Sequence, residues 1–177
     1  VEMERLPGGG WRLWNPNVLQ NYPDHLIMCL GRWAAEAPDR VFLAQRNSDG
    51  GGDWRELTFS DAARLSANIA QALIDRGHGP DRPIAILSDN SIEFGLLQLG
   101  AMHVGIPVLP VSSAYSLMSS DHEKLRGVIA HHDPSVVYVD DAAPFSHALA
   151  ALREARFELV TGIATEGAEC LADWLST

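Results

Sequence analysis

The clearest pattern in the chain lies between Pro83 and Leu117. Ile84 to Leu87 is a short apolar run without alternation, Asn90 and Glu93 have the spacing of an N-cap and its reciprocal partner, and Ile106 to Val111 is a second apolar run. The order reads strand, helix, strand. Strands that lack polar alternation and are joined by a crossover helix of this length imply parallel neighbours covered on both faces. Ligands of open parallel sheets sit outside the carboxyl ends of the strands, which singles out the loops Ser88 to Asn90 and Val111 to Tyr115.

Around this unit the periodicity predicts further elements. Apolar residues at Leu26, Leu30, Trp33, Ala34 and Ala37 define a helix over His25 to Ala37, stopped by Pro38. Val41 to Gln45 and Trp54 to Phe59 read as two strands of a hairpin about a glycine-rich turn at Asn47 to Asp53. Ser60 is the expected cap of a long helix that buries Ala62, Leu65, Ile69, Ala72 and Leu73, turns Asp61, Arg64, Asn68, Gln71 and Asp75 to water, and ends at Gly77. Ser120 with Glu123 marks a helix to about His131, and Val136 to Val139 is a β-branched strand ending at Asp140 and Asp141. Phe145 to Ala155 reads as helix, Phe157 to Val160 as strand, Gly162 to Glu169 as loop and Leu171 to Leu175 as a last helical turn. Val1 to Asp24, with Gly8, Gly9, Gly10 and three prolines, reads as an irregular N-terminal arm ahead of an α/β domain over residues 25–177. The fold class is therefore α/β, a layered and mostly parallel sheet flanked by helices, with a small antiparallel hairpin near the N-terminus.

A length of 177 residues supports one full core, and 46% hydrophobic with 20% charged residues is ordinary globular usage. The net charge of −10 changes the picture more, because nucleic acid and anionic membrane both demand clustered Lys and Arg, and no basic stripe exists here. Cys29 and Cys170 fit two reduced thiols rather than a disulfide framework or a zinc site. With no apolar run of membrane-spanning length and no leader pattern, the expected location is the cytoplasm.

Candidate chemistry is sparse. His131 and His132 fall at a helix end where the dipole favours them, His103 suits a hydrogen-bonded packing role, and the remaining histidines occupy caps or polar faces. Asp140 with Asp141 and Asp121 with Glu123 read as capping acids, so no acid–base role, catalytic residue or metal site is assigned. No phosphate-loop, dinucleotide, nucleophile-elbow or zinc-protease motif is present. Ser112 and Tyr115 are the residues to place near a substrate, because they follow a predicted central strand at its carboxyl end.

Several short motifs then occur in a fixed order. They are Trp33-Ala34-Ala35-Glu36-Ala37-Pro38-Asp39-Arg40, Leu57-Thr58-Phe59 before the helix ending Arg76-Gly77, Asp89-Asn90-Ser91-Ile92-Glu93, and Gly105-Ile106-Pro107. In this order and spacing the chain resembles the N-terminal portion of adenylate-forming acyl-CoA synthetases, the superfamily shared with peptide-synthetase adenylation domains and luciferases. Trp54-Arg55-Glu56-Leu57, Ile86 to Ser91 and Pro110 to Leu117 resemble the feruloyl-CoA synthetase branch. The resemblance covers about Leu6 to Thr177 and implies the N-terminal part of the synthetase large domain.

That resemblance implies a two-step reaction in which a carboxylate such as ferulate attacks the α-phosphate of Mg-ATP and CoA then displaces AMP. It implies ATP, Mg2+ and CoA for the complete enzyme and none bound to this piece. The family's phosphate loop, ribose-binding aspartate and C-terminal lysine are expected beyond Thr177, so the chain is expected to be an inactive fragment that self-associates through uncovered apolar surface. The alternative is a stand-alone, non-catalytic binding or interaction module descended from the same fold. A dinucleotide-binding domain is the weaker third reading, since the glycine fingerprint is missing.

Overall fold

A computed structural model describes residues 1–47 and 52–176. In chain order the elements are β1 (Glu2–Arg5), β2 (Trp11–Trp14), α1 (Leu26–Glu36), β3 (Val41–Arg46), β4 (Trp54–Thr58), α2 (Phe59–Asp75), β5 (Ile84–Ile86) and α3 (Ile92–His103). They continue with β6 (Val108–Pro110), α4 (Ala114–Leu117), α5 (Glu123–His132), β7 (Val136–Val139), α6 (Ser146–Ala151), β8 (Glu158–Thr161), β9 (Glu169–Cys170) and α7 (Leu171–Leu175).

The central sheet has the order β6-β5-β7-β8-β9, and every pair in it is parallel. Ile84 stands opposite Val108 on one side and Val136 on the other. The absence of alternation in these strands follows from where the two faces go. Ile84, Ile86, Val136, Tyr138 and Val160 enter a core shared with α2, α3 and α7, whereas Ala85, Leu87, Val137 and Val139 enter a second core under α5 and α6. Each face needs apolar side chains, so the strands are apolar throughout.

The β3–β4 hairpin is antiparallel, with Gln45 opposite Arg55, and its Phe42 and Leu43 lean on the first core. Phe42 meets Phe59 at 4.9 Å between ring centroids, which seats the hairpin against the start of α2. At the opposite end of the sheet Arg82 holds three strand entrances together. Its guanidinium donates to Asp133 O and Asp133 Oδ1 at 3.0 Å, to Pro134 O at 3.0 Å and to Arg156 O at 2.6 Å.

The structure departs from the sequence pattern at several points. The N-terminal segment expected to be irregular contains the antiparallel β1–β2 hairpin, turned where Leu6 N–H donates to Gly10 O and Gly9 takes φ +85°. Its polar and apolar side chains are all exposed, so burial left no imprint on the sequence there. Thr58, not Ser60, caps α2, because its hydroxyl accepts from Asp61 N–H and reaches the Asp61 carboxylate. Ser91, not Asn90, caps α3, and Glu93 turns to another partner. At α5, Ser119 and Asp121 accept the backbone N–H groups of His122 and Glu123, while Ser120 takes no such part. The predicted helix over Phe145 to Ala155 is regular only through Ala151, Val111 to Tyr115 runs into the short α4, and β9 was expected as loop. Strand β6 is an edge strand, not the central one. Most of the turn expected at Asn47 to Asp53 lies outside the described residues. Among the described residues no helix is long and apolar enough to cross a membrane.

Candidate functional site

The carboxyl edge of the sheet gathers the exits of β5, β7 and β8. The backbone ladder continues past the strands, with Leu87 N–H on Tyr138 O at 3.0 Å and Gly162 N–H on Val139 O at 3.0 Å. This brings Ser88, Asp140 and Gly162 side by side. The buried Ser88 Oγ accepts from Asp140 N–H at 2.5 Å, and the buried Tyr138 hydroxyl donates to Asp140 Oδ1 at 2.5 Å. Gly162 is obligatory there. A Cβ would stand 2.9 Å from Asp140 O and 3.0 Å from the Tyr138 hydroxyl.

Strand β4 and helix α3 bring the remaining charges. Arg55 pairs with Glu93 at 2.7 Å, and Gln45 Oε1 accepts from Ile92 N–H at 2.8 Å. The β3–β4 hairpin is thereby tied to the start of α3. A cavity of about 300 Å3 lies between them, lined by Gln45, Arg55, Glu93, Asp140, Gly162 and Ile163.

The electrostatics follow from one cation serving two carboxylates. Burial raises the Asp140 carboxyl above the ordinary carboxylate range and the charge of Glu93 adds to it, while Tyr138, Ser91 and Arg55 oppose. Burial, reinforced by Asp140, raises the Tyr138 phenol as well. Glu93 holds Arg55 more firmly in its charged form. The arrangement can anchor the hairpin and offer a polar pocket that contains a carboxyl raised above its ordinary range.

Ser112 and Tyr115 lie apart from this cluster, beyond the end of the edge strand β6. Ser112 is exposed. Tyr115 is half-buried on the second core, with Lys124 Nζ 5.7 Å from its ring centroid and a cavity of about 260 Å3 alongside. The two regions are joined by Ser113 Oγ, which donates to Asp89 Oδ1 at 2.6 Å across the exits of β6 and β5. Arg55, Glu93 and Asp140 were not singled out together by sequence reasoning. They are 38 and 47 positions apart along the chain, and no local spacing encodes their meeting.

Elsewhere the described chemistry is structural. Ser66 Oγ lies 3.2 Å from His103 Nε2, but the hydroxyl also donates to Ala63 O, so the pair ties α2 to α3. Burial lowers the His103 pKa, in keeping with a neutral packing imidazole. Cys29 and Cys170 are free thiols, and among the described residues no three His, Cys, Asp or Glu side chains are grouped to hold a metal ion.

Comparison with known proteins bears on the fold and the family. A linear gramicidin synthase of Brevibacillus parabrevis is 29% identical over 104 residues, 58% of this chain and 2% of that protein. Among solved structures, the luciferase-like enzyme of the mealworm Zophobas morio superposes with a TM-score of 0.68 at 13% identity, covering 88% of this chain and 36% of that one. A benzoate CoA ligase of Burkholderia xenovorans gives 0.66 at 16% identity, covering 86% and 28%. At these identities the solved structures share the fold. The chain spans between 1% and 14% of the length of the curated relatives it matches. The AMP-binding enzyme family matches residues 30–176. That match takes in every strand of the parallel sheet and the helical layers on both of its faces, and the chain accordingly belongs to the AMP-binding enzyme family.

Proposed function

We propose that this chain is the N-terminal part of an AMP-forming acid–thiol ligase that activates an aromatic carboxylic acid such as ferulate as its adenylate and passes it to CoA. The observation that carries the reading is the family match across residues 30–176, joined to the Pro110 to Leu117 segment that resembles the feruloyl-CoA synthetase branch. A benzoate CoA ligase among the structural neighbours supports an aromatic acid. Residues 25–177 form part of the AMP-binding domain, and Ser112 and Tyr115 lie toward the substrate side of the complete enzyme.

At the carboxyl edge Arg55 is committed to Glu93. ATP, Mg2+ and CoA are assigned to the complete enzyme, as the family resemblance implies. The 177-residue chain is expected to be inactive and, with its open apolar surface, to self-associate. Purified chain given ferulate, Mg-ATP and labelled pyrophosphate should show exchange no faster than an enzyme-free blank. Acid-dependent exchange by this chain alone would overturn the assignment of the missing machinery to other segments.

A further inference from the structure

The amino edge of the sheet, opposite the candidate site, holds a second cleft. A cavity of about 400 Å3 opens between the loop that follows α2 and the loop that leads into β8, with His78, Asp81, Arg82, Ser135, Arg156 and Glu158 among its walls. Ser135 stands at the entrance of β7, where its N–H donates to Pro83 O and its carbonyl accepts from Glu158 N–H, both at 2.9 Å. These bonds fix it between the entrances of β5 and β8. The residue is 8% exposed, yet its Oγ has no hydrogen-bond partner among the described residues. A buried hydroxyl left unpaired is destabilising, and such a group takes its partner from water or a ligand when the chain supplies none.

The charges around this hydroxyl are unequally used. Glu158 is held by Arg76 at 3.3 Å and by His78 at 2.7 Å, and the His78 side chain is nine-tenths buried in that pairing. Arg82 uses Nε and Nη2 on Asp133, Pro134 O and Arg156 O, which leaves Nη1 without a partner among the described residues. The Arg156 guanidinium has no partner among them at all, in a chain that carries −10. Of the acids in the cleft wall, the exposed Asp81 is the one without a cationic partner among the described residues.

We propose that this cleft binds a small oxyanion, with the Arg156 guanidinium and Arg82 Nη1 as charge-assisted donors and the Ser135 hydroxyl as the neutral one. Guanidinium N–H groups suit phosphate and carboxylate oxygens, and a hydroxyl beside them completes a set of convergent donors. A free anion and an acidic side chain from elsewhere in a larger enzyme offer the same oxygens. The assignment is to the free anion, because the donors line a recess of small-ligand size between two loops of this chain rather than a flat face. The inference is independent of the ligase chemistry.

Inorganic phosphate is the probe. Calorimetric titration of the 177-residue chain at low ionic strength and fixed pH should show one saturable site with a Kd of about 1 mM or tighter. Arg156→Gln should weaken binding at least about ten-fold and Ser135→Ala at least about three-fold. Only the carbonyl of Arg156 is used in the fold, and unchanged far-UV circular dichroism checks each variant. Asp81→Asn should tighten binding, while Arg153→Gln, an exposed arginine outside the cleft, should bind like the parent. The protein expressed from the whole reading frame should bind phosphate with the same dependence on Arg156. Absence of saturable binding by the chain would leave the Ser135 hydroxyl to water and overturns the site. Binding unchanged by Arg156→Gln and Ser135→Ala, or lost equally in Arg153→Gln, overturns it as well. Binding by the chain but not by the whole protein gives the cleft to another segment and overturns the free anion.

Discussion

Helices α2 and α3 pack tightly against each other at Gly100, and the substitution Gly100→Ala tests that contact. A Cβ at position 100 would lie 2.4 Å from Ile69 Cγ2, 2.7 Å from Ile69 Cβ and 3.2 Å from Ser66 O. Rotating Ile69 moves its Cγ2 but not its Cβ, which is fixed to the α2 backbone in a position with no solvent exposure. Relief requires the helices to separate by about 1 Å, opening the first core on both sides of the crossing. Alanine in place of glycine gains about 1 kcal/mol of helix propensity, whereas overpacking of a close-packed core costs about 1–3 kcal/mol and sometimes more. The contact to a fixed Cβ puts the cost at the upper end, for a net loss of about 2 kcal/mol or more. Urea unfolding followed by circular dichroism should show a lower midpoint with an unchanged slope. Gly127→Ala on the exposed face of α5, with nothing within 4 Å of its added Cβ, should instead gain about 0.5–1 kcal/mol. Gly95→Ala meets only Leu43 Cδ1 at 2.9 Å, a side-chain tip that can turn, and should fall between the two. If Gly100→Ala is as stable as the parent while Gly127→Ala gains as stated, the α2–α3 crossing is not packed as described.

Other consequences concern the two ends of the sheet. Arg82→Ala removes a cation that satisfies three strand entrances and should cost about 2 kcal/mol in the same unfolding assay; Arg82→Lys, lacking the planar fork, should recover no more than about half of it. Because the Asp140 pKa is raised by burial and by Glu93, the folded chain holds that proton to higher pH than the unfolded chain, and ionised Asp140 works against folding at neutral pH. Asp140→Asn, which still accepts from Tyr138, should therefore stabilise at pH 7, by under about 1 kcal/mol for a group this open to solvent. The gain should shrink as pH falls through the raised pKa and vanish below the ordinary carboxylate range; a gain that grows on acidification would reverse the sign argued here.

The parallel β5–α3–β6 unit was legible because both sheet faces are buried and the strands carry apolar residues without alternation. The stripe of α2 was legible from its spacing of three and four at Ala62, Ile69, Ala72 and Leu73, whereas Leu65 is only half-buried and Asn68, expected in water, donates to Leu175 O at 2.7 Å. Caps were displaced by one or two residues where neighbouring Ser and Thr compete, as at Thr58 and Ser60, since only the geometry around Asp61 chooses between them. The β1–β2 hairpin escaped because none of its side chains is buried, and β9 because two residues carry no period. The Arg55, Glu93 and Asp140 cluster is a tertiary product. Its members come from β4, the first turn of α3 and the exit of β7, and local pattern explained Glu93 and Asp140 as caps.

The most direct test of the ligase assignment is pyrophosphate exchange by the protein expressed from the whole reading frame that contains this chain, with Mg-ATP and ferulate, a long-chain fatty acid or no acid. Exchange should require an acid and be fastest with ferulate. Exchange with none of them, or with the fatty acid alone, would contradict that assignment.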